Sequence, residues 1–469
     1  MRRLLQKALS SLLYPTRRVQ LHLIADWYVR KGYGKPARSS GMPWLLDPFQ
    51  DFVHRQQKNP KSHYHQEFKT LSADRLTLNA QHTLGEVYPI DGVKLTPQDT
   101  SGKPGEGLHM IQLWGARIPY EARFADLATS ANRTGATQYS FNPFGMNASK
   151  GEVYELHDVV NCTLAMINHL LDQGISPDKI VLMGDCLGAG VMQAVQTACE
   201  EQGIKIRLIN SNSFQSLKKH LQEELKKIHA SYLVPFVKPL LQHLGWHMTP
   251  GKSFAYQTPY KTYLHRQNDK VLSRSKLHEK IKKIRDNPLN TKYRDDCPVE
   301  YQAHREYLEQ HCEVVVPSTK AKTDPHLMPL SACYMADDRS KDVYTGYINT
   351  YLESSNEYIN AHPQQVDANF RLQALASSNY LRFKDKKEEA TNYEAFWKII
   401  ALLRNKILSV IKPMKSYLNQ LTRKHSNPPI EQIELHILPS KRDCSTSQIQ
   451  QVDAQPLGPQ QTSRLRLRV

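Results

Sequence analysis

A short apolar run, a glycine-bracketed corner and a helical stretch follow one another without a spacer in KIVLMGDCLGAGVMQAV, residues 179–195. The run Ile180–Met183 is continuous rather than alternating and is followed at once by turn residues, which suits a strand covered on both faces. The chain must then turn sharply at Cys186 to enter a helix. So tight a turn presses strand end and helix start against neighbouring backbone, so the positions two before and two after its tip, Gly184 and Gly188, have to lack side chains. The tip side chain is left standing above the sheet at a helix N-terminus, where backbone N–H groups and the helix dipole favour negative charge. For a cysteine, that setting favours the thiolate, which is the nucleophilic form.

The flanking pattern predicts the sheet that such a corner needs. From residue 74, strand-like runs RLTLNAQ, GEVYPIDGVKLTPQ and HMIQLWG lead into an alternation of helix (YEARFADLATSAN), strand (TQYSFN), helix (YELHDVVNCTLAMINHLLDQG), strand (KIVLMG), helix and strand (KIRLINS). Alternation of this kind predicts an α/β protein with a mostly parallel sheet and helices on both faces, its chemistry at the carboxyl ends of the strands. Residues 214–256 read as a helical insertion where a lid would sit, PYKTYLHRQNDK as one more strand and turn, and CEVVVPS as the last strand. The expected organisation is an N-terminal helical extension (1–73), a core (74–340), a C-terminal helical region (341–424) and a Pro/Gln/Ser-rich tail (425–469) of disordered composition.

Composition narrows the class further. The seven cysteines are scattered through 469 residues, with no CxxC pair and no local Cys/His spacing of metal-ligand type, so the expectation is free thiols in a reducing compartment, no metal and no cofactor. No run reaches the roughly 18 apolar residues of a membrane span, and the basic N-terminus has no cleavage site of secretory type, so a soluble chain is expected. A formal charge of +17 suits an anionic partner. Zinc-finger, RNP-like and helix-turn-helix patterns are all missing, so nucleic acid is not expected; an anionic membrane surface is the other candidate, and the amphipathic basic segment 396–424 reads either as a solvated or core-packing helix or as the contact with such a surface.

Over residues 109–335 the chain resembles the α/β-hydrolase superfamily, with cysteine in place of the usual serine at the nucleophile elbow, as in dienelactone-hydrolase-like members. The stretch FNPFGMNASKGEVYELHDVVNCTLAMINHL is similar to the loop and long helix that precede the elbow in that superfamily. YLHRQNDKVL is similar to the strand and turn that present the catalytic acid, which implies that role for Asp269, and TDPHLMPL is similar to the histidine segment, which implies that role for His326. The order nucleophile, acid, histidine is the superfamily's own. Asp286, Asp295 and Asp296 are alternatives to Asp269, but they follow a helix and two of them sit in the solvated RDDCP turn; His311 in EQHCEVVV is the rival of His326. An oxyanion hole needs two amide donors: Leu187, directly after the nucleophile, supplies one, and Ala116 or Arg117, in the loop after HMIQLWG, the other. Asp185 is expected to point sideways in a supporting role, and Glu121 either to brace the oxyanion loop or merely to complement a helix dipole.

A narrower resemblance is to the SidB-type effectors, α/β-hydrolase-like proteins that Legionella exports through a type IV secretion system. Their FNxxGxxxSxG stretch, G-D-C or G-x-S elbow, N-S-x-S-F strand end and DPH segment are similar to FNPFGMNASKG, GDCLG, NSNSFQSL and TDPH. The resemblance implies delivery into a host cell, cytosolic or peripheral to a membrane there, with a secretion signal in the C-terminal tail. The expected activity is hydrolysis of an ester or thioester, of a small molecule or a lipid, through Cys186, His326 and Asp269. The alternative is an inactive hydrolase scaffold that binds a host protein or an anionic membrane.

Overall fold

Five strands of five or six residues carry the apolar runs, and each is followed by a polar or glycine-containing corner at its carboxyl end. In the computed structural model the described residues are 70–377, apart from 116–117, 228–230, 232–233, 235–236, 239–240, 242–244, 251–256, 270, 273–276, 286–296 and 317–324. They belong to one compact unit. The expected helices of residues 1–69 and the basic segment and tail beyond 377 lie outside the described residues, as do Ala116, Arg117, Asp286, Asp295 and Asp296.

Two long strands, β1 (Leu71–Gln81) and β2 (Val87–Pro97), form an antiparallel hairpin. The chain then alternates through β3 (His109–Leu113), α1 (Phe124–Thr134), β4 (Thr137–Phe141), α2 (Leu156–Asp172), β5 (Ile180–Asp185), α3 (Leu187–Glu201) and β6 (Arg207–Ser211). After the insertion, whose first helix is α4 (Leu217–Lys227), come β7 (Lys261–Arg266), α5 (Leu277–Arg285), α6 (Gln302–Gln310), β8 (Glu313–Val315), β9 (Tyr334–Met335) and α7 (Asn349–Ala361). The strands make one nine-stranded sheet in the order β1-β2-β4-β3-β5-β6-β7-β8-β9. The run from β4 through β3, β5, β6 and β7 to β8 is parallel, while β1, β2 and β9 are antiparallel edge additions. This is the α/β-hydrolase fold.

The middle strands are buried on both faces. Helix α1 packs Phe124, Leu127, Ala128 and Ala131 against Val93 and Leu95. A larger cluster gathers Val159, Ile167 and Leu170 of α2, Val191 and Val195 of α3, and Ile111, Leu182 and Ile209 of the strands. Burying each such side chain contributes about 1.5–3 kcal/mol, and a parallel sheet depends on this cover because its crossover helices have nowhere else to lie.

The chain after β9 packs on the same core. The buried Arg207 of β6 donates to Ser355 Oγ (3.2 Å) and Asn356 Oδ1 (2.6 Å) of α7. The extended stretch that follows is held by two asparagines of α2: Asn161 exchanges bonds with Leu375 and Asn168 with Leu372, each pairing one side-chain amide with one backbone peptide. No helix among the described residues is long and apolar enough to cross a membrane.

Candidate active site

The corner at Cys186 is as tight as its glycines require. Cys186 has φ 55° and ψ −116°, a conformation in which a non-glycine residue carries a steric cost. A Cβ on Gly184 would lie 2.4 Å from Ala189 Cα, and one on Gly188 would lie 2.3 Å from the Leu113 carbonyl oxygen. Both contacts are with backbone, which cannot swing aside. The Cys186 amide is fixed at the end of the neighbouring strand by the Ser211 carbonyl at 3.0 Å. Cys186 stands as the cap residue of α3, and the amide of Leu187 opens that helix, one of the four N–H groups that an α-helix leaves without an internal acceptor.

Parallel register brings the ends of the other strands alongside. Leu113 lies opposite Gly184, and Asp185 opposite Ser211. The loop after β3 therefore passes the thiol closely, so that a Cβ on Gly115 would sit 3.8 Å from Cys186 Sγ. Ala116 and Arg117, the sequence candidates for the second oxyanion donor, follow directly but lie outside the described residues.

Three side chains that are distant in sequence meet here. His326, in the short 3-10 turn Pro325–Leu327, places Nε2 3.0 Å from Cys186 Sγ and Nδ1 2.8 Å from Asp269 Oδ2. Asp269, just past the end of β7, is 2 % exposed and His326 7 % exposed, while Cys186 is partly open to solvent. The carboxylate's second oxygen accepts from the Leu272 amide at 3.0 Å. Burial alone would neutralise both groups, yet the bond to His326, its charge, the Leu272 amide and Asn212 hold the Asp269 carboxyl down at about 2. Burial likewise opposes charge on His326, but bonds to Asp269 and Cys186 outweigh it and raise the ring to about 10. His311, the rival histidine, is engaged elsewhere, with Nε2 2.9 Å from Asp337 and its ring stacked on Tyr307.

Two further residues shape the site, and neither was singled out from the sequence. Asn212, the first residue beyond β6, sits at φ 53° and donates from Nδ2 to Asp269 Oδ2 at 2.7 Å. Its Nδ2 is also 3.0 Å from His326 Nδ1. That ring nitrogen must carry its own hydrogen to bond the carboxylate, so the amide hydrogen goes to Asp269 and the three groups form a closed triangle around one oxygen. The Arg266 amide turns the Asn212 carbonyl group the right way round, at 3.3 Å from Oδ1. The signal for Asn212 was the NSNSF strand end itself, read as a likeness but given no role.

The second is Arg266, the last residue of β7 and wholly buried. Its guanidinium donates to Asp185 Oδ1 (2.8 Å), beside the thiol, and to the Met328 carbonyl (2.9 Å), two residues past His326. Ser211 Oγ donates to the same Asp185 oxygen at 2.9 Å. Asp185 thus points sideways along the sheet, tying the elbow to the histidine turn. Glu121 lies in the 3-10 turn Tyr120–Arg123 before α1, where its two oxygens accept from Asn142 Nδ2 at 2.9 and 3.0 Å while the Tyr120 amide donates to Asn142 Oδ1. The bracing of the loop after β3 therefore runs through a side chain at the end of β4. Burial pushes the Glu121 carboxyl above its ordinary value.

The insertion contributes from α4. His220, in the first turn of that helix, stacks against Phe214 with its ring planes 13° apart and lies within electrostatic range of His326; burial lowers its proton affinity.

The family model for the C-terminal domain of SdbC matches residues 322–386, a span that includes His326 and the stretch bound to α2. No curated protein matches the chain. Among solved structures, the chain is similar to an esterase from the hyperthermophilic archaeon Pyrobaculum calidifontis, at 12% identity and a TM-score of 0.32, covering 47% of this chain and 72% of that one. It is also similar to an α/β-hydrolase from Vibrio vulnificus (15% identity, TM-score 0.34, 54% of this chain and 82% of that one). An esterase/lipase from an uncultured bacterium matches at 15% identity with a TM-score of 0.33, over 53% of this chain and 86% of that one.

Proposed function

We propose that this chain is a thiol acyl hydrolase in which Cys186 is the nucleophile, His326 the general base and acid, and Asp269 the group that orients and stabilises the imidazolium. The observation that carries the reading is the continuous contact from Sγ through the His326 ring to the Asp269 carboxylate, 3.0 Å and then 2.8 Å, at a strained strand-to-helix corner. With the proton held on the ring, the sulfur attacks the carbonyl carbon of an ester or thioester. The oxyanion forms against the Leu187 amide and a second donor from the loop beside Gly115, for which Ala116 and Arg117 remain the candidates. His326 then gives its proton to the leaving oxygen or sulfur, leaving an acyl thioester on Cys186. Water, deprotonated by His326, releases the acid and restores the thiol. Tyr120, Glu121, Asn142 and the Asp185–Arg266 pair support the loops without touching the reacting atoms.

The substrate is a small-molecule or lipid acyl ester or thioester; the lipid reading draws support from the helical insertion beside the site and the net charge of +17. The SdbC match and the resemblance to SidB-type effectors support a protein delivered by a bacterial type IV system into a host cell, to act in the cytosol or at a membrane surface. The rival, an inactive scaffold binding a host protein or anionic membrane, is separated by one experiment. Purified full-length protein is assayed on short-chain p-nitrophenyl esters, a phenyl thioester and phospholipid vesicles, beside Cys186→Ala. The proposal expects turnover of at least one substrate, with kcat/KM falling by about 10³-fold or more in the variant. Turnover equal in the two proteins, or none by the wild type on any of the three, favours the scaffold.

A further inference from the structure

Outside the thiol site, the described residues contain a second meeting of metal-type donors. His265 on β7, His278 in the first turn of α5, and Cys312 at the junction of α6 and β8 bring one ligand atom each to within 4.8 Å of one another. The three are 13 and 34 residues apart in the chain, which is why no local Cys/His spacing announces them. The His265 and His278 rings are stacked with centroids 3.9 Å apart, and Cys312 is 2 % exposed. Alternation along β7 puts His265 on the opposite face of the sheet from Arg266, so this cluster is separate from the thiol, imidazole and carboxylate of the active site.

We propose that His265, His278 and Cys312 form a binding site for a borderline-soft transition metal ion, of which Zn²⁺ is the fitting case. Two imidazoles and one thiolate are the donor set that such ions take, and Mg²⁺ and Ca²⁺ avoid. A tetrahedral ion with Zn–N near 2.0–2.1 Å and Zn–S near 2.3 Å needs its donors about 3.5 Å apart. Atoms already within 4.8 Å have to close by about 1 Å, and the two imidazoles, stacked in the metal's absence, have to tilt so that a lone pair of each faces the ion. His278 is mostly buried, and three protein donors leave the fourth position of a tetrahedral ion to a small ligand such as water. Binding expels the Cys312 thiol proton to solvent and forms one metal–sulfur bond in its place. In the metal's absence that thiol is held by the Glu309 carbonyl at 3.3 Å and by the Tyr263 hydroxyl, so the metal competes with two ordinary hydrogen bonds.

The three donors come from a strand, a helix and a turn. An ion there clips α5 and the start of β8 to β7, whose end carries Asp269 four residues beyond His265. Its effect is on the sheet, where it fixes the part from which Asp269 hangs.

Full-length protein carrying Cys186→Ala, which removes the thiol beside His326, is stripped with a chelator and titrated with Co²⁺ and Zn²⁺. The expected results are a sulfur-to-cobalt charge-transfer band in the near ultraviolet that saturates at one equivalent, and a rise in Tm of about 5 °C with excess Zn²⁺. His278→Gln, at the least buried of the three positions, and Cys312→Ser should each abolish both effects. His278→Gln with an unchanged metal-free Tm keeps the test decisive if Cys312→Ser does not fold. A missing thiolate band, or a band that survives either substitution, leaves Cys312 as a hydrogen-bonded buried thiol and overturns the proposal.

Discussion

Asn212 shows how a single backbone angle places a polar group where the chemistry needs it. At φ 53° the chain leaves β6 toward the site, and asparagine is among the few residues that accept that conformation cheaply. Its amide then gives Asp269 Oδ2 a second donor beside the His326 ring. Glycine at 212 keeps the backbone free of strain but removes the amide that bonds Asp269 and accepts from the Arg266 N–H, so Asn212→Gly should fold with a Tm lowered by several degrees. The lost bond to a charged acceptor contributes about 1.5–3 kcal/mol, and the loss should appear as a roughly ten- to hundredfold fall in kcat with KM little changed. Steady-state kinetics on whichever ester or thioester the wild type turns over checks it; a fall confined to KM would place Asn212 in substrate binding instead.

Among the elements, the elbow and the histidine turn are joined by a buried ion pair rather than by packing alone. Arg266, 1 % exposed, reaches Asp185 on one side and the Met328 carbonyl on the other. Removing one partner of a buried pair strands the other charge, at a typical cost of about 3–5 kcal/mol. Arg266→Met, similar in length and apolar, should therefore lower stability by about that amount in denaturant unfolding, while Ser211→Ala, which removes only a neutral donor to Asp185, should lower it by about 1 kcal/mol. Equal, small effects would mean that the pair contributes nothing to holding the two turns. The sequence could not announce this: in YLHRQNDK an arginine at a strand end reads as a solvated charge, and only the β5–β6–β7 register brings it to Asp185.

For the molecule as a whole, what was legible followed from local steric necessity. The alternation of apolar runs and helical stretches predicted the parallel sheet because each strand must be covered on both faces, and Gly184 and Gly188 announced the elbow because no Cβ fits there. Asp269 and His326 were reached only through the resemblance of YLHRQNDKVL and TDPHLMPL to hydrolase segments in the same chain order. Asn212, Arg266 and the His265–His278–Cys312 cluster were not, because each acquires its partners only when separate strands are brought into register. The central claim is that the His326 ring, charged and held by Asp269, makes the Cys186 sulfur reactive. Its most direct test is the rate of iodoacetamide alkylation of Cys186 at pH 6.5, followed by peptide mass spectrometry, with the buried thiols Cys162, Cys199 and Cys333 as slow internal references. Because its partners keep the proton on His326 up to about pH 10, the ring's assistance is present below that value and is lost as pH rises through it. The account predicts that His326→Ala is alkylated at least about tenfold more slowly at pH 6.5, with the gap closing toward pH 10. Equal rates in the two proteins at pH 6.5 would contradict it.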